Sequence, residues 1–352
     1  MSQVNTITIK KPRESQFELL RIFAQWMIVF YHLFYEFTLS YQSEHPIYLG
    51  IQIPLHIGVL LFVLMSGYFG IRPTVRGGGK LVLMIVVYFV PIALLTDLSN
   101  GDIIKVCKDL LIISYPRYWF FRCYLFLFLF SPVINHYLKD IQLKQRIYLI
   151  AILAFMSIWV GTSMGDMTLA GGKNLTNFLL LYVIGNTLHE YKDKWQRIPQ
   201  WQLIASFIML NAVLVIVWMC FHDGLIGTII MQLSYPYCSP FLYISAILVF
   251  MIFAKLKIQS KHINWFATSV FAVYLIHYQR QVWSGPLHDG ANQILGITAG
   301  NPIQTIILFF IYSILIYIAA TAIDKLLTPF WRFSEAHVKK MSNHFYARTS
   351  IR

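Results

Sequence analysis

Charge is what this sequence has least of. Asp, Glu, Lys and Arg make up 12% of its 352 residues, about half their share in soluble domains. Hydrophobic residues make up 57%, aromatics 16%, and the mean hydropathy is +0.60. A soluble globular enzyme is excluded, and a polytopic membrane protein is left. Cysteine is scarce too. Cys107, Cys123, Cys220 and Cys238 form no CxxC pair, so neither a disulfide framework nor a cysteine metal site is expected. Cys220 and Cys238 flank one short loop, which permits a bridge without indicating one. Acidic residues number 15 against 28 Lys and Arg, a net charge of +13. The chain also lacks an internal repeat, a low-complexity segment, a separate soluble domain and the polar-lined repeat of a channel. The N-terminal stretch is polar and basic, and no small-residue cleavage site follows the first apolar run, so no cleavable signal is expected.

Long apolar runs are what the chain has in abundance. Ten candidate spans lie at approximately 18–38, 47–71, 80–97, 118–138, 146–163, 174–190, 201–221, 239–256, 265–285 and 303–324. Most hold the ~20 residues a spanning helix needs. The expected fold is an all-α polytopic helical bundle: a transmembrane domain over 1–330, then a short basic cytoplasmic tail over 331–352. Pro54 and His56 are expected to kink or break the second span. An amphipathic stretch, Asp102 to Ile113, is expected at the interface before the fourth. With these spans, every Lys and Arg except Lys105, Lys108, Arg117, Arg122, Lys173 and Arg280 falls on one side. The positive-inside rule places that side, with both termini, in the cytoplasm. The protein is therefore expected to be multi-pass in the cytoplasmic (inner) membrane. Topology explains the excess charge, and no nucleic-acid partner is implied. Asn174-Leu175-Thr176 on the outer side is formally a glycosylation sequon.

Two ionisable residues stand out on the first span. Arg21 and His32 enclose an almost wholly apolar run. Eleven residues turn a helix by ~1100°, about 20° past three full turns, so both side chains share a face. His32 lies roughly 16 Å deeper than Arg21, about halfway through a ~30 Å hydrocarbon core. A lone Arg at a helix end is commonly a topological anchor. An imidazole at mid-depth more often marks a reaction site or substrate path, and it suits general-base or nucleophilic work. Glu36, one turn further, either holds the ring in one tautomer or faces the outer loop.

Other candidates are weaker singly. The stretch Ser66 to Lys80 combines Arg72, Arg76 and Lys80 with the run Gly77-Gly78-Gly79. Backbone amides and guanidinium forks suit phosphate oxygens, although the spacing is not a Walker pattern and an ordinary flexible loop reads the same way. Trp119 belongs to an interfacial aromatic belt. Arg122 falls about one turn inside the fourth span and is expected to face a polar cavity. Tyr274 and His277 lie in the ninth span, and His56 is a third histidine in an apolar setting. No Cys or Asp companions accompany the histidines, so no metal is expected.

Together these segments resemble a known family. Arg21 followed by His32 is similar to the arginine–ten–histidine signature of the acyltransferase-3 type of integral-membrane acyltransferase, the group that O-acylates bacterial cell-surface sugars. Met65-Ser66-Gly67-Tyr68-Phe69 resembles its second-span motif. Tyr118-Trp119-Phe120 through Ser131-Pro132-Val133-Ile134-Asn135 resembles its fourth. Tyr274-Leu275-Ile276-His277 resembles its "YLIH". The resemblance implies an acyl-CoA co-substrate, most often acetyl-CoA, no permanently bound cofactor, and a sugar hydroxyl of a cell-surface or lipid-linked polysaccharide as acceptor. It makes His32 the catalytic residue; the chemistry leaves that residue as base or acyl acceptor, with Glu36 a catalytic candidate from its place on the same helical face. It assigns Arg21, Arg72, Arg76 and Lys80 to the donor, and leaves Trp119, Arg122, Tyr274 and His277 as acceptor or support residues. No appended esterase-like domain is expected. The rival reading is a proton-coupled secondary transporter or glycan exporter with His32 and Glu36 as a proton relay. A scaffold of the same fold without activity is a further alternative.

Overall fold

The computed structural model describes residues 13–38, 45, 47–99, 118–161, 170–221 and 224–334. The expected amphipathic stretch Asp102 to Ile113 and all of the tail beyond Ser334 lie outside them. Among the described residues there are helices and no strands: α1 (Ser15–Thr38), α2 (Ile47–Leu55), α3 (Ile57–Phe69), α4 (Val75–Ser99), α5 (Trp119–Asp140), α6 (Leu143–Ala154), α7 (Leu175–Glu190), α8 (Gln200–Phe221), α9 (Gly224–Ser234), α10 (Pro240–Ala254), α11 (Lys261–Ala267), α12 (Val270–His277), α13 (His288–Thr298) and α14 (Pro302–Leu326). A π-helical turn, Phe155–Val160, extends α6.

Four of these elements are long and apolar enough to cross a membrane: α1, the pair α2–α3, α8 and α14. α8 and α14 turn side chains such as Ile208, Met209, Ile216, Leu315 and Ile318 outward. A bilayer solvates such a face and water does not. The chain is a helical membrane protein, with α1 packed at its centre against α2, α3, α10, α11, α12 and α14. α1 has no glycine or proline to interrupt it, and it buries Leu20, Ala24, Val29, Leu33 and Phe34 completely.

The second span bends where expected. Pro54 removes an amide from the helical ladder, and the His56 amide answers by sharing itself between the carbonyls of Gln52 and Ile53, 3.2 Å from each. The turn therefore tightens at His56 while the backbone stays bonded. α3 then crosses α7 at very close range. A Cβ on Gly67 would lie 2.1 Å from the Tyr182 carbonyl oxygen, and one on Gly185 would lie 2.2 Å from that of Leu64. Only glycine permits this approach, as at small-residue crossings in membranes.

α5 carries Pro132, whose missing amide would orphan the Phe128 carbonyl. The preceding Ser131 hydroxyl donates to that carbonyl at 2.8 Å, so the Ser-Pro pair bends the helix without leaving an unpaired group. One turn on, Asn135 Nδ2 donates to the Ile71 carbonyl (2.8 Å). The Tyr182 hydroxyl donates to Asn135 Oδ1 (2.7 Å) and accepts from the Ile71 amide (2.8 Å). This knot ties the chain just past α3 to α5 and α7.

Two parts depart from the hydropathy reading. The expected span 265–285 is not one helix. Gln279 Oε1 accepts the amides of Gln281 (2.8 Å) and Val282 (3.0 Å), ending α12 and starting a new turn as a capping side chain does. Pro286 and Gly285, the latter at φ −108°, ψ −109°, distort the next turn. Helices α9 and α13 also fill segments that lie between expected spans.

Candidate functional site

A cavity of about 650 Å³ follows one face of α1, lined there by Glu18, Arg21, Gln25, Ile28 and His32, with Arg13 just before the helix. The spacing from Glu18 to His32 is that of a single helical face, about 21 Å long. α3 supplies the opposite wall with Val59, Phe62, Met65 and Ser66. α5 adds Trp119, Phe120, Tyr124 and Phe128, and the α11–α12 region adds Thr268, Phe271, Tyr274 and Tyr278. The resembling segments thus converge on one space. Their contact is direct, because Tyr118 Oη donates to the Leu275 carbonyl at 3.1 Å and its ring meets that of Tyr274 edge-on at 5.8 Å.

His32 stands at the deep end. His277 Nδ1 lies 2.7 Å from the Val273 carbonyl oxygen, which can only accept. That nitrogen therefore carries a proton, and with the ring in its neutral form His277 Nε2 is the acceptor. His32 Nδ1 lies 3.1 Å from His277 Nε2, so in this hydrogen-bond assignment Nδ1–H donates to it. The basic lone pair of His32 is then on Nε2. Tyr278 stacks on the His32 ring at 4.2 Å and 15°, and Trp283 meets it edge-on at 6.3 Å. A fully buried histidine oriented by a backbone carbonyl thus fixes the tautomer of His32, the role a carboxylate often fills for a catalytic imidazole.

The structure does not bring Glu36 to this pair. Its side chain is exposed, and His32 Nδ1 faces His277. His56 belongs to a separate cluster: its Nδ1 donates to the Tyr235 carbonyl at 2.7 Å, and its ring lies 4.0 Å from Tyr31 and 4.7 Å from Tyr237. Among the described residues, no three His, Cys, Asp or Glu side chains gather to hold a metal ion.

At the other end of the cavity stand Arg13, Arg21 and Lys80. Arg21 is half exposed, and its guanidinium reaches Glu18 at 3.3 Å, an i,i+3 pair. Glu18 is buried while the Arg21 head stays half in solvent, so the guanidinium keeps donors open to a second anion. The run Gly77-Gly78-Gly79 is the first turn of α4, where Thr74 Oγ1 accepts the Gly77 amide at 3.0 Å. Gly77 and Lys80 line the cavity, which places a helix N-terminus, with its partial positive charge, at the mouth. Arg72 is exposed and does not line the cavity. Nor does Arg122, which is half-buried beside it. The side chains of Arg76 and Arg280 lie outside the described residues.

Sequence reasoning missed three features: Gln25, which shares the Arg21–His32 face; Tyr278, next to the "YLIH" segment; and the Asn135–Tyr182–Ile71 knot. Asn135 had a signal, being the last residue of a quoted motif, and Gln25 had one in its helical phase. Asn174 of the sequon is 8% exposed and caps α7 by accepting the Asn177 amide at 2.9 Å, so its side chain already serves the fold.

The fold and the cavity together define a helical membrane protein with an internal polar site. The sequence matches the protein family described as "Acyltransferase domain" over residues 14–325, and the chain belongs to this family, acyltransferase-3. It is accordingly a membrane acyltransferase. No curated protein and no solved structure matches the chain significantly.

Proposed function

We propose that the protein moves an acyl group, in the first instance acetyl, from cytoplasmic acyl-CoA to a sugar hydroxyl of a cell-surface or lipid-linked polysaccharide. The observation that carries this reading is the His32–His277 pair, set at the end of a passage whose mouth is cationic. The donor's phosphates meet Arg21, Lys80 and the first turn of α4, and its thioester arm runs along α1 to the histidine. Arg72, exposed just before α4, adds positive charge near that turn with no contact assigned to it. Trp119, Tyr237 and Tyr278 offer aromatic faces to the acceptor on the far side of His32.

His32 acts as general base. Its Nε2 takes the proton of the sugar hydroxyl as the oxygen attacks the thioester carbonyl. The tetrahedral intermediate collapses with cleavage of the carbon–sulfur bond, and the departing thiolate recovers the proton from His32. His277 stays neutral, accepts from Nδ1 throughout, and stabilises the transient imidazolium through that bond. The thioester is already activated, so the scheme calls for no further cofactor. Acyl transfer through His32 Nε2 itself is the other route the same atom permits.

The transporter alternative, a His32–Glu36 proton relay, is less favoured because the Glu36 side chain is exposed and His32 Nδ1 pairs with His277. The ten-span topology with both termini in the cytoplasm is part of this proposal, since it puts the cationic mouth on the side where acyl-CoA is made.

The test is transfer of labelled acetyl from acetyl-CoA in membrane vesicles. Wild type labels glycan and His32→Ala does not. Equal labelling by the two proteins removes His32 from the chemistry. Label held on wild-type protein when acceptor is withheld replaces the direct route with the covalent one.

A further inference from the structure

We infer that Gln25 is a donor-binding residue that hydrogen-bonds an amide of the pantetheine arm. This rests on acyl-CoA being the donor, as proposed above. Gln25 is 2% exposed and lines the cavity on the same face of α1 as Arg21 and His32. Its Nε2 has no hydrogen-bond partner among the described residues. Leaving such a donor buried and unmade is costly, so native structures satisfy nearly all of them. A ligand amide is the partner that would make the missing bond.

Of the other polar groups on the cavity wall, the Tyr274 hydroxyl also has no partner among the described residues, whereas Ser66 and Thr268 are engaged. The Ser66 hydroxyl donates to the Phe62 carbonyl at 2.8 Å. Thr268 Oγ1 donates to the Trp265 carbonyl at 2.7 Å and accepts from Lys325 Nζ at 2.6 Å. The same passage is lined by the apolar side chains of Ile28, Val59, Phe62 and Phe271.

The level along α1 also fits. Gln25 lies one turn, ~6 Å, beyond Arg21 and ~10 Å short of His32. With the donor sulfur at His32 and the phosphates near Arg21, the amide closer to the phosphates falls about 10 Å from the sulfur in an extended arm, at ~1.2 Å per bond. A primary amide both donates and accepts, so Gln25 can pair with a ligand amide in either sense. An unbranched thiol ester without amides would leave it unpaired.

The experiment compares inhibition by CoA, which carries the arm, with inhibition by adenosine 3′,5′-bisphosphate, which lacks it. Wild type is measured beside Gln25→Met and Gln25→Leu, both apolar and of similar volume, so that poor folding of one leaves the other. CoA inhibition, and the KM for acetyl-CoA, should weaken about tenfold. Inhibition by the bisphosphate should stay unchanged, which also shows that the variant is folded. Unchanged CoA inhibition overturns the assignment, and so does equal weakening for both inhibitors, which marks a structural role. If neither compound inhibits wild type, the donor reading itself fails, and the Gln25 assignment with it.

Discussion

At the scale of the residue, the chemistry depends on where one proton sits. Because Val273 offers only an acceptor, His277 is fixed with its proton on Nδ1, and His32 is in turn fixed with Nε2 basic. Replacing His277 with Ala should lower kcat by about a hundredfold, within the range general-base catalysis supplies, with little change in the KM for donor. His277→Gln, whose Oε1 can still accept from His32 Nδ1, should recover part of that loss. Equal kcat for the Ala and Gln variants would show that the bond does not position His32. The Arg21–His32 relation was legible in the sequence because eleven residues nearly restore helical phase. The partner of His32 was not. His277 is 245 positions away, and sequence offered Glu36, one turn off, as the nearer candidate. The packing of α12 against α1 decided between them.

At the scale of the element, close approach and local capping set the passage. α3 and α7 touch backbone to backbone at Gly67 and Gly185, so Gly67→Ala or Gly185→Ala must push the helices apart. Each should destabilise by about 2–3 kcal/mol, seen as a lowered midpoint of thermal unfolding in detergent. Gly79→Ala is the contrast. Nothing lies within 4 Å of a Cβ there, and it should stabilise α4 by up to about 1 kcal/mol. A lowered midpoint for Gly79→Ala, or none for Gly67→Ala, would refute this account of the glycines. The Asn135–Tyr182 knot belongs to the same scale. Asn135→Leu strands the Ile71 carbonyl and the Tyr182 hydroxyl and should cost about 1–3 kcal/mol, while raising the KM for donor because the segment entering α4 loses its anchor. The bend at Pro54 was legible because proline must break the ladder. The break at Gln279 was not, since a glutamine capping two amides leaves no hydropathy signature. Helices α9 and α13 escaped the same reading because each is 11 residues long, below a spanning length.

At the scale of the whole molecule, membrane character follows from composition, whereas the cavity follows from segments that sequence lists far apart. The clustering of Lys and Arg on one side predicts that reporters fused at either terminus are cytoplasmic, and that the turn carrying Lys173 is labelled from outside. A terminus outside would reverse the side from which donor enters. Arg21 and Lys80 stand at an exposed mouth, so the KM for acyl-CoA should rise several-fold between 0.05 and about 0.5 M salt as the Debye length shortens; a salt-independent KM would remove them from phosphate binding. The central claim is that His32 performs acyl transfer to a surface glycan, and the most direct measurement is the mass of that glycan. Cells carrying wild type should yield glycan with the mass increment of an acyl group. Cells carrying His32→Ala at the same protein level should yield glycan without it, and the same increment in both would contradict the account.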